Sequence, residues 1–436
     1  MRIAVIGSGI SGNSAAAVLS TRHEVVLYEK RLRTGGHSAT VDIDYDGEPM
    51  SVDTGFIVYN ELNYPNFTRM LAHLGVPTEE SDMSFALSAD SGRREWSGQN
   101  LDTVFAQRRN LLNPAFLMML RQIFRFNKES VRDLEAGRLA GLSLGDYLRA
   151  NGYGRTFTDQ YLLPMGAAIW STPLAEMPDY PAENFVAFFR NHRLVNFDRP
   201  TWRTVTGGSR SYVERLLAPL QGHIRLGAAV TDIRRHPDHV EITDAQGEIN
   251  RFDQVVLATH TDQALAMLGD ASDTERRLLA DVRYRPNDVY LHRDTALMPR
   301  RQKVWSSWNY LAGSTPDADR QVTVSYWMNR LQNIDPARPV FVTLNPATPP
   351  RPELTFGHFV YDHPQFDRAA IDAQTRLASL QGQNRTWYCG AWTGHGFHED
   401  GLKSGLAVAR ALGCTAPWDS AAPEGATGEK LLEAAE

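Results

Sequence analysis

The stretch Ile3-Ala4-Val5-Ile6-Gly7-Ser8-Gly9-Ile10-Ser11-Gly12 decides how this sequence is read. Four consecutive apolar residues are the pattern of a strand buried on both faces. The alanine-rich residues 11–20 follow as a helix, and 24–28 (EVVLY) as a second buried strand. This is a βαβ opening with G-x-G-x-x-G at its turn. Gly7 permits the tight turn, Gly9 lets a pyrophosphate approach the backbone, and Gly12 lets helix and strand close up. Free N–H groups and the positive helix end then face the phosphates. Glu29, at the end of the second strand, is placed to accept hydrogen bonds from a ribose hydroxyl pair. Strand, helix and acid in this order point to a dinucleotide rather than a structural glycine turn. Glu29 disfavours a 2′-phosphate, which speaks against NADP despite Lys30, Arg31 and Arg33; the choice lies between NAD and FAD.

At 436 residues the chain is long enough for two or three cores. Hydrophobic residues make up 42% and charged residues 22%, an ordinary globular mix. Lys plus Arg total 45 against 51 Asp plus Glu, a formal charge of -6 that speaks against a nucleic-acid partner. Cys389 and Cys414 are the two cysteines, which excludes a disulfide scaffold and any zinc-spaced Cys pair. No uncharged apolar run reaches the ~18 residues of a spanning helix. The expectation is a soluble, cytoplasmic protein. Residues 66–199 read as mainly helical and 284–359 as strand-rich. Nucleotide-domain signals occur in three separate pieces, so two discontinuous domains are expected to interleave. The first comprises 1–65, 203–270 and 380–418, the second 66–202 and 271–379, with 419–436 a disordered tail.

Further motifs separate NAD from FAD. Arg33-Thr34-Gly35-Gly36 supplies a second glycine turn, and Ser51-Val52-Asp53-Thr54-Gly55-Phe56 a strand and turn. With Thr206-Gly207-Gly208-Ser209 and the ungapped Gly396-Phe397-His398-Glu399-Asp400-Gly401-Leu402-Lys403-Ser404-Gly405, they resemble the flavin-dependent amine oxidase superfamily. The resemblance covers the three nucleotide pieces and not the middle. It implies a non-covalent FAD and an α/β fold, in which a Rossmann-like FAD-binding domain (GR2/amine-oxidase-like) interleaves with an α+β substrate domain. It further implies cofactor contacts at Gly7, Gly9, Gly12, Glu29, Lys30, Gly35, Gly36, His37, Thr54, Gly55 and Val230. Gly390, Asp400, Gly401 and Leu402 complete that set, the terminal helix directing backbone N–H groups at the flavin. Two departures stand out. The superfamily's final G-D pair reads Gly390-Ala391, and the aromatic beside the flavin is Phe397 where amine oxidases carry Tyr. Losing that hydroxyl weakens the case for an amine, which needs a polar, cation-friendly cage.

His395, His398, Glu399 and Asp400 form the densest titratable cluster. Phe397, His398 and Glu399 are the catalytic candidates, against the plainer role of helix-cap residues whose backbones matter. No metal site is expected. Trp305, Trp308, Tyr326 and Trp327 concentrate aromatics in the strand-rich segment, with Asn309 and Asn329 as candidate polar contacts of an apolar pocket. Residues 111–126 (LLNPAFLMMLRQIFRF) read either as a core helix or as a membrane-lying, lipid-admitting one. Gly396–Gly405 together with these aromatic runs is similar to one superfamily branch, flavin oxidoreductases associated with unsaturated fatty acyl lipids and joined in some cases to cyclopropane fatty acid synthases. That resemblance implies an unsaturated acyl substrate held in a phospholipid, desaturated or isomerised by hydride transfer. It also implies a peripheral contact at the inner membrane face, or a lipid methyltransferase or cyclopropane synthase partner. The alternatives are an amine or amino-acid oxidase and a non-catalytic flavoprotein partner.

Overall fold

The computed structural model describes residues 1–194, 200–312 and 323–419. Apart from Asp419, the stretch expected as a disordered tail lies outside them. A five-stranded parallel sheet forms the centre, in the order Ile224–Leu226, Glu24–Glu29, Arg2–Ile6, Gln254–Leu257, Thr386–Tyr388. Its strands come from the start, middle and end of the chain. Alternation sends Ile3 and Val5 to one face and Ala4 and Ile6 to the other. The first face is covered by the helices Ile10–Leu19, Arg210–Leu217 and His398–Ala411, which bury Leu19, Tyr212 and Leu406. Over the second lies an antiparallel meander, Val230–Arg235, Val240–Asp244 and Ile249–Phe252, with several helices. Both faces are covered, which is why the central strands read as unbroken apolar runs.

A second, seven-stranded sheet runs Thr355–Gln365, Arg283–His292, Phe341–Leu344, Thr323–Trp327, Trp308–Leu311, Phe85–Ala89, Arg94–Ser97. Its last two strands fall in the stretch expected to be mainly helical. Both are short and buried at nearly every position, the fully buried Glu95 included, so no alternation marks them. Its carboxylate accepts from the Ser88 hydroxyl, the Arg300 and Arg301 backbone N–H groups and the Arg301 guanidinium. A buried charge satisfied this fully reads as surface in a sequence.

Three expected domain boundaries are displaced. The boundary at 65/66 cuts the helix Pro65–His73, whose Phe67, Met70 and Leu71 pack in the same core as Ile3 and Val5. Beyond 270 and before 380, the helices Asp273–Ala280 and Arg368–Arg376 bury Leu278 and Ala373 against the central sheet. An amphipathic stripe announces a helix but not which sheet it covers. In the helix Pro114–Glu135 the inner face fits the core-helix reading of its segment. Phe116, Met119 and Phe126 enter the core, while Leu117 and Met118 face outward. Among the described residues no helix is long and apolar enough to cross a membrane.

Candidate active site

The central strands end together, so Gly7, Glu29, Ala258 and Gly390 converge at one edge of the sheet, where ligands of such folds bind. A cavity of about 760 Å³ opens there and continues between the two sheets to Trp96, Trp308 and Tyr326. Gly7 has φ +100°, and a Cβ on Gly12 would stand 1.8 Å from the Gly7 carbonyl oxygen. Neither position admits a side chain. A Cβ on Gly9 would instead meet nothing within 4 Å and would project into open space.

The second glycine turn closes on the first. Gly35 N–H donates to Ser8 O at 2.8 Å, and the Arg33 guanidinium donates to its own turn at Gly36 O. Glu29 accepts from Ser8 N–H, Ser8 Oγ and Arg31 N–H, which leaves about one of its four acceptor sites for a ligand. Residues 37–39 and 54–56 zip together through Thr54 N–H to Ala39 O and Phe56 N–H to His37 O. Asp53 is buried beneath and accepts from Ser209 N–H and Oγ, which fastens the Gly207-Gly208 turn. The His37 Nε2 and Tyr28 hydroxyl are buried polar atoms of the cavity wall without protein partners. An open glycine cradle, a helix N-terminus and two orphaned polar groups fit a dinucleotide there.

Of the expected cofactor contacts, Gly7, Gly9, Glu29, Lys30, Gly36, His37, Thr54, Gly55, Val230 and Gly390 line the cavity. Gly12 and Gly35 stand behind it and shape the turns. Asp400, Gly401 and Leu402 do not reach it. Asp400 accepts from the backbone N–H groups of His395 and Phe397, so its carboxylate is used to fold its own loop. Gly401 packs on Ile10, and Leu402 is fully buried in the core.

The catalytic candidates divide. Glu399 points away from the cavity and accepts from Asn66 N–H, Asn66 Nδ2 and Phe67 N–H, capping the helix Pro65–His73. Its expected catalytic role is thereby corrected to a structural one. Phe397 lines the cavity and stacks on Phe188, with centroids 4.8 Å apart and planes at 21°. His398 also lines it, stacked on Phe56 at 3.8 Å, with Nε2 2.7 Å from the Tyr212 hydroxyl, itself bonded to Ser38. Burial holds His398 at about 3, so the ring is neutral and pinned. Asn309 and Asn329 stay out of the cavity, their amides bonded to backbone groups. Cys389 is fully buried off the cavity wall, and burial pushes its thiol up to about 12, so it is no anchor for a flavin.

Four cavity-lining groups escaped the sequence reading: His192, His260, Tyr361 and His363. Burial holds His192 and His363 at about 4 and lowers His260. The Tyr361 hydroxyl lies 2.8 Å from Thr54 Oγ1. They come from a helix end, a strand end and a sheet edge with no shared motif. No periodic signal could have grouped them.

A parallel nucleotide sheet interleaved with a mixed seven-stranded sheet, and a cavity between them, form the architecture of a flavoprotein oxidoreductase. Residues 10–330 match the family model for flavin containing amine oxidoreductases, and the chain belongs to that family. Its cofactor is FAD. No curated protein matches significantly. Among solved structures, the CLA-producing fatty acid isomerase from P. acnes is similar in fold (TM-score 0.66, 16% identity, 94% of this chain and 98% of that one). So are putrescine oxidase bound to putrescine (0.66, 14%, 94% and 99%) and the cyclohexylamine oxidase from Brevibacterium oxydans IH-35A (0.62, 16%, 94% and 99%). Identities this low establish the fold alone.

Gly9→Val is expected to fold normally but purify colourless, because its side chain fills only the open cradle. Circular dichroism and flavin absorbance check this; a yellow Gly9→Val would place the cofactor elsewhere. The histidines set a pH dependence. Unfolded, they titrate near 6.5; folded, His192, His363 and His398 titrate near 4, 4 and 3. Between these values the unfolded chain binds more protons, so stability falls as pH drops below about 6.5. The upper limit is ~1.4 kcal/mol per pH unit for each histidine. Urea unfolding at pH 7.5, 6 and 5 should show that decline, and His398→Gln should lessen it.

Proposed function

We propose that this flavin-containing oxidoreductase acts on the unsaturated part of a fatty acyl chain, introducing or moving a double bond. The wall of the cavity beyond the nucleotide half carries the proposal: Trp96, Met165, Ile169, Trp308, Tyr326 and Val342 line it. Each buried CH₂ of an alkyl chain gains ~0.8 kcal/mol against such a wall, with no charged contact needed. The lining carboxylates among the described residues are Glu29 and Asp362. Glu29 is engaged by Ser8 and Arg31, and Asp362 stands beside His260 and His363. The apolar wall of Trp96, Met165, Ile169, Trp308, Tyr326 and Val342 itself carries no carboxylate to hold an ammonium. Phe397 and Phe188 stack on each other at 4.8 Å, which leaves no gap between them to cage a cation.

FAD, when bound, supplies a two-electron centre that can take a hydride from a carbon next to a double bond and return it. This chain's residues orient the alkyl chain against the packed pair Trp308 and Tyr326, exclude water, and surround the reacting region with neutral imidazoles. A fatty acid isomerase shares the fold, which supports the substrate class, whereas the amine oxidases that share it show that fold does not decide. The test incubates the yellow protein anaerobically with unsaturated fatty acids, with phospholipids and with a panel of amines. A new or displaced double bond by mass spectrometry is expected. Amines that bleach the flavin while lipids remain unchanged would overturn the proposal in favour of an amine oxidase. A flavin that answers to neither would favour a non-catalytic partner role.

The substrate's delivery belongs to the same proposal. Leu101, Leu111, Leu112, Leu117 and Met118 are 42–88% exposed in consecutive elements whose inner side packs Phe116 against Trp96 of the cavity wall. Between residues 101 and 128, Arg108, Arg109, Arg121, Arg125 and Lys128 stand against the single acid Asp102, in a chain of net charge -6. Exposed leucines among arginines suit an anionic phospholipid surface. Wild type is expected to float with vesicles containing phosphatidylglycerol and to stay behind with pure phosphatidylcholine. Leu112→Glu combined with Met118→Glu should abolish flotation while flavin content is kept. Equal flotation of the variant would remove this face from the proposal.

A further inference from the structure

The turn between the strands Val230–Arg235 and Val240–Asp244 reads His236-Pro237-Asp238-His239, with Glu241 two residues on. We propose that His236, His239 and Glu241 bind a divalent transition-metal ion of the zinc class, at the end of the central sheet opposite the cofactor cavity.

The geometry supports this directly. One donor atom from each residue lies within 4.8 Å of the others. His236 Nε2 stands 3.5 Å from Glu241 Oε2, and His239 Nε2 stands 3.4 Å from Glu241 Oε1. Zinc bonds of about 2.0–2.1 Å in a tetrahedron separate neighbouring donors by roughly 3.3–3.4 Å. The two imidazoles lie nearly parallel, with centroids 4.5 Å apart and planes at 13°. His236 N–H donates to His239 O at 2.8 Å, which holds the turn that presents both rings.

Two further observations point to a ligand. The His236 side chain is 40% exposed, yet its Nε2 atom is covered and has no hydrogen-bond partner. His239 Nδ1 lies 2.8 Å from Asp238 Oδ1, and a carboxylate there can only accept. Asp238 thus orients the ring through Nδ1, as second carboxylates orient metal-binding histidines, and an ion would take the place of the proton that Nε2 otherwise directs at Glu241 Oε1. Arg251 competes, with Nε and Nη2 each 3.0 Å from Glu241 Oε1. Its side chain is 71% exposed, and exposed pairs of this kind are worth about 0–1 kcal/mol. Metal coordination through Oε2 leaves that pair in place.

Two imidazoles and one carboxylate favour zinc, copper or nickel over magnesium or calcium. Three protein donors leave a fourth position for water or an outside group. The turn is tied to the sheet by Arg385, which donates to Pro237 O and to Asp253 O, at the starts of the strands Thr386–Tyr388 and Gln254–Leu257. A bound ion would thus pin the hairpin turn that Arg385 ties to the sheet, without touching the cavity, so its effect is on stability rather than turnover.

The test titrates Zn²⁺ into the untagged, flavin-loaded chain by calorimetry, and follows Co²⁺ by its visible bands. One Zn²⁺ per chain, a rise in melting temperature and the intense bands of four-coordinate cobalt are expected. His236→Ala and His239→Ala should each weaken binding at least tenfold, and His358→Ala, at a separate surface site, should leave it unchanged. Arg251→Ala should tighten it. Flavin content should be the same in all four variants, whatever the substrate proves to be. Absence of stoichiometric zinc, faint six-coordinate cobalt bands, or equal binding by the His236→Ala/His239→Ala double variant would each overturn the proposal.

Discussion

The contact on which the structure depends is the close approach of the helix His398–Ala411 to the helix Ile10–Leu19. A Cβ at Gly405 would stand 2.3 Å from the Ser11 carbonyl oxygen, and one at Gly401 would stand 2.7 Å from Ile10 Cγ2. Two glycines four residues apart thus let helices from opposite ends of the chain meet almost backbone to backbone. The first turn of the terminal helix is then held where its side chains have distant work. Glu399 caps the helix Pro65–His73, Asp400 folds residues 395–397, and His398 reaches Tyr212. Phe397 and His398 enter the cavity because their neighbours are anchored elsewhere.

Charge in the cavity is managed in a consistent way. Arg33 donates to its own turn, Glu29 is engaged by Ser8 and Arg31, and buried histidines remain neutral. Attraction for phosphates then comes from backbone N–H groups at a helix start, with Lys30 and Arg31 also in the lining. A wall of neutral rings costs little desolvation and tolerates a long alkyl chain, whereas a fixed charge there would demand a partner. The half-buried cluster His236, His239 and Glu241 lies at the other end of the sheet.

The sequence by itself determined the nucleotide loop, its order of strands and helix, and the tripartite origin of the central sheet. These are legible because each rests on local spacing: Gly7, Gly9 and Gly12 must fall at set positions of one turn, and buried parallel strands must be apolar throughout. The flavin family was legible for the same reason, through short contiguous motifs. Tertiary structure alone decided what the acids of the terminal helix do. Glu399 and Asp400 look alike beside a flavin motif, yet both spend their lone pairs on backbone N–H groups, one of them more than 300 residues away. It alone also assigned Pro65–His73 to the nucleotide core, hid Glu95 inside a sheet, and gathered His192, His260 and His363 around one cavity. Such encounters are set by which apolar faces pack together, and that information is distributed over the whole chain rather than written at any one position.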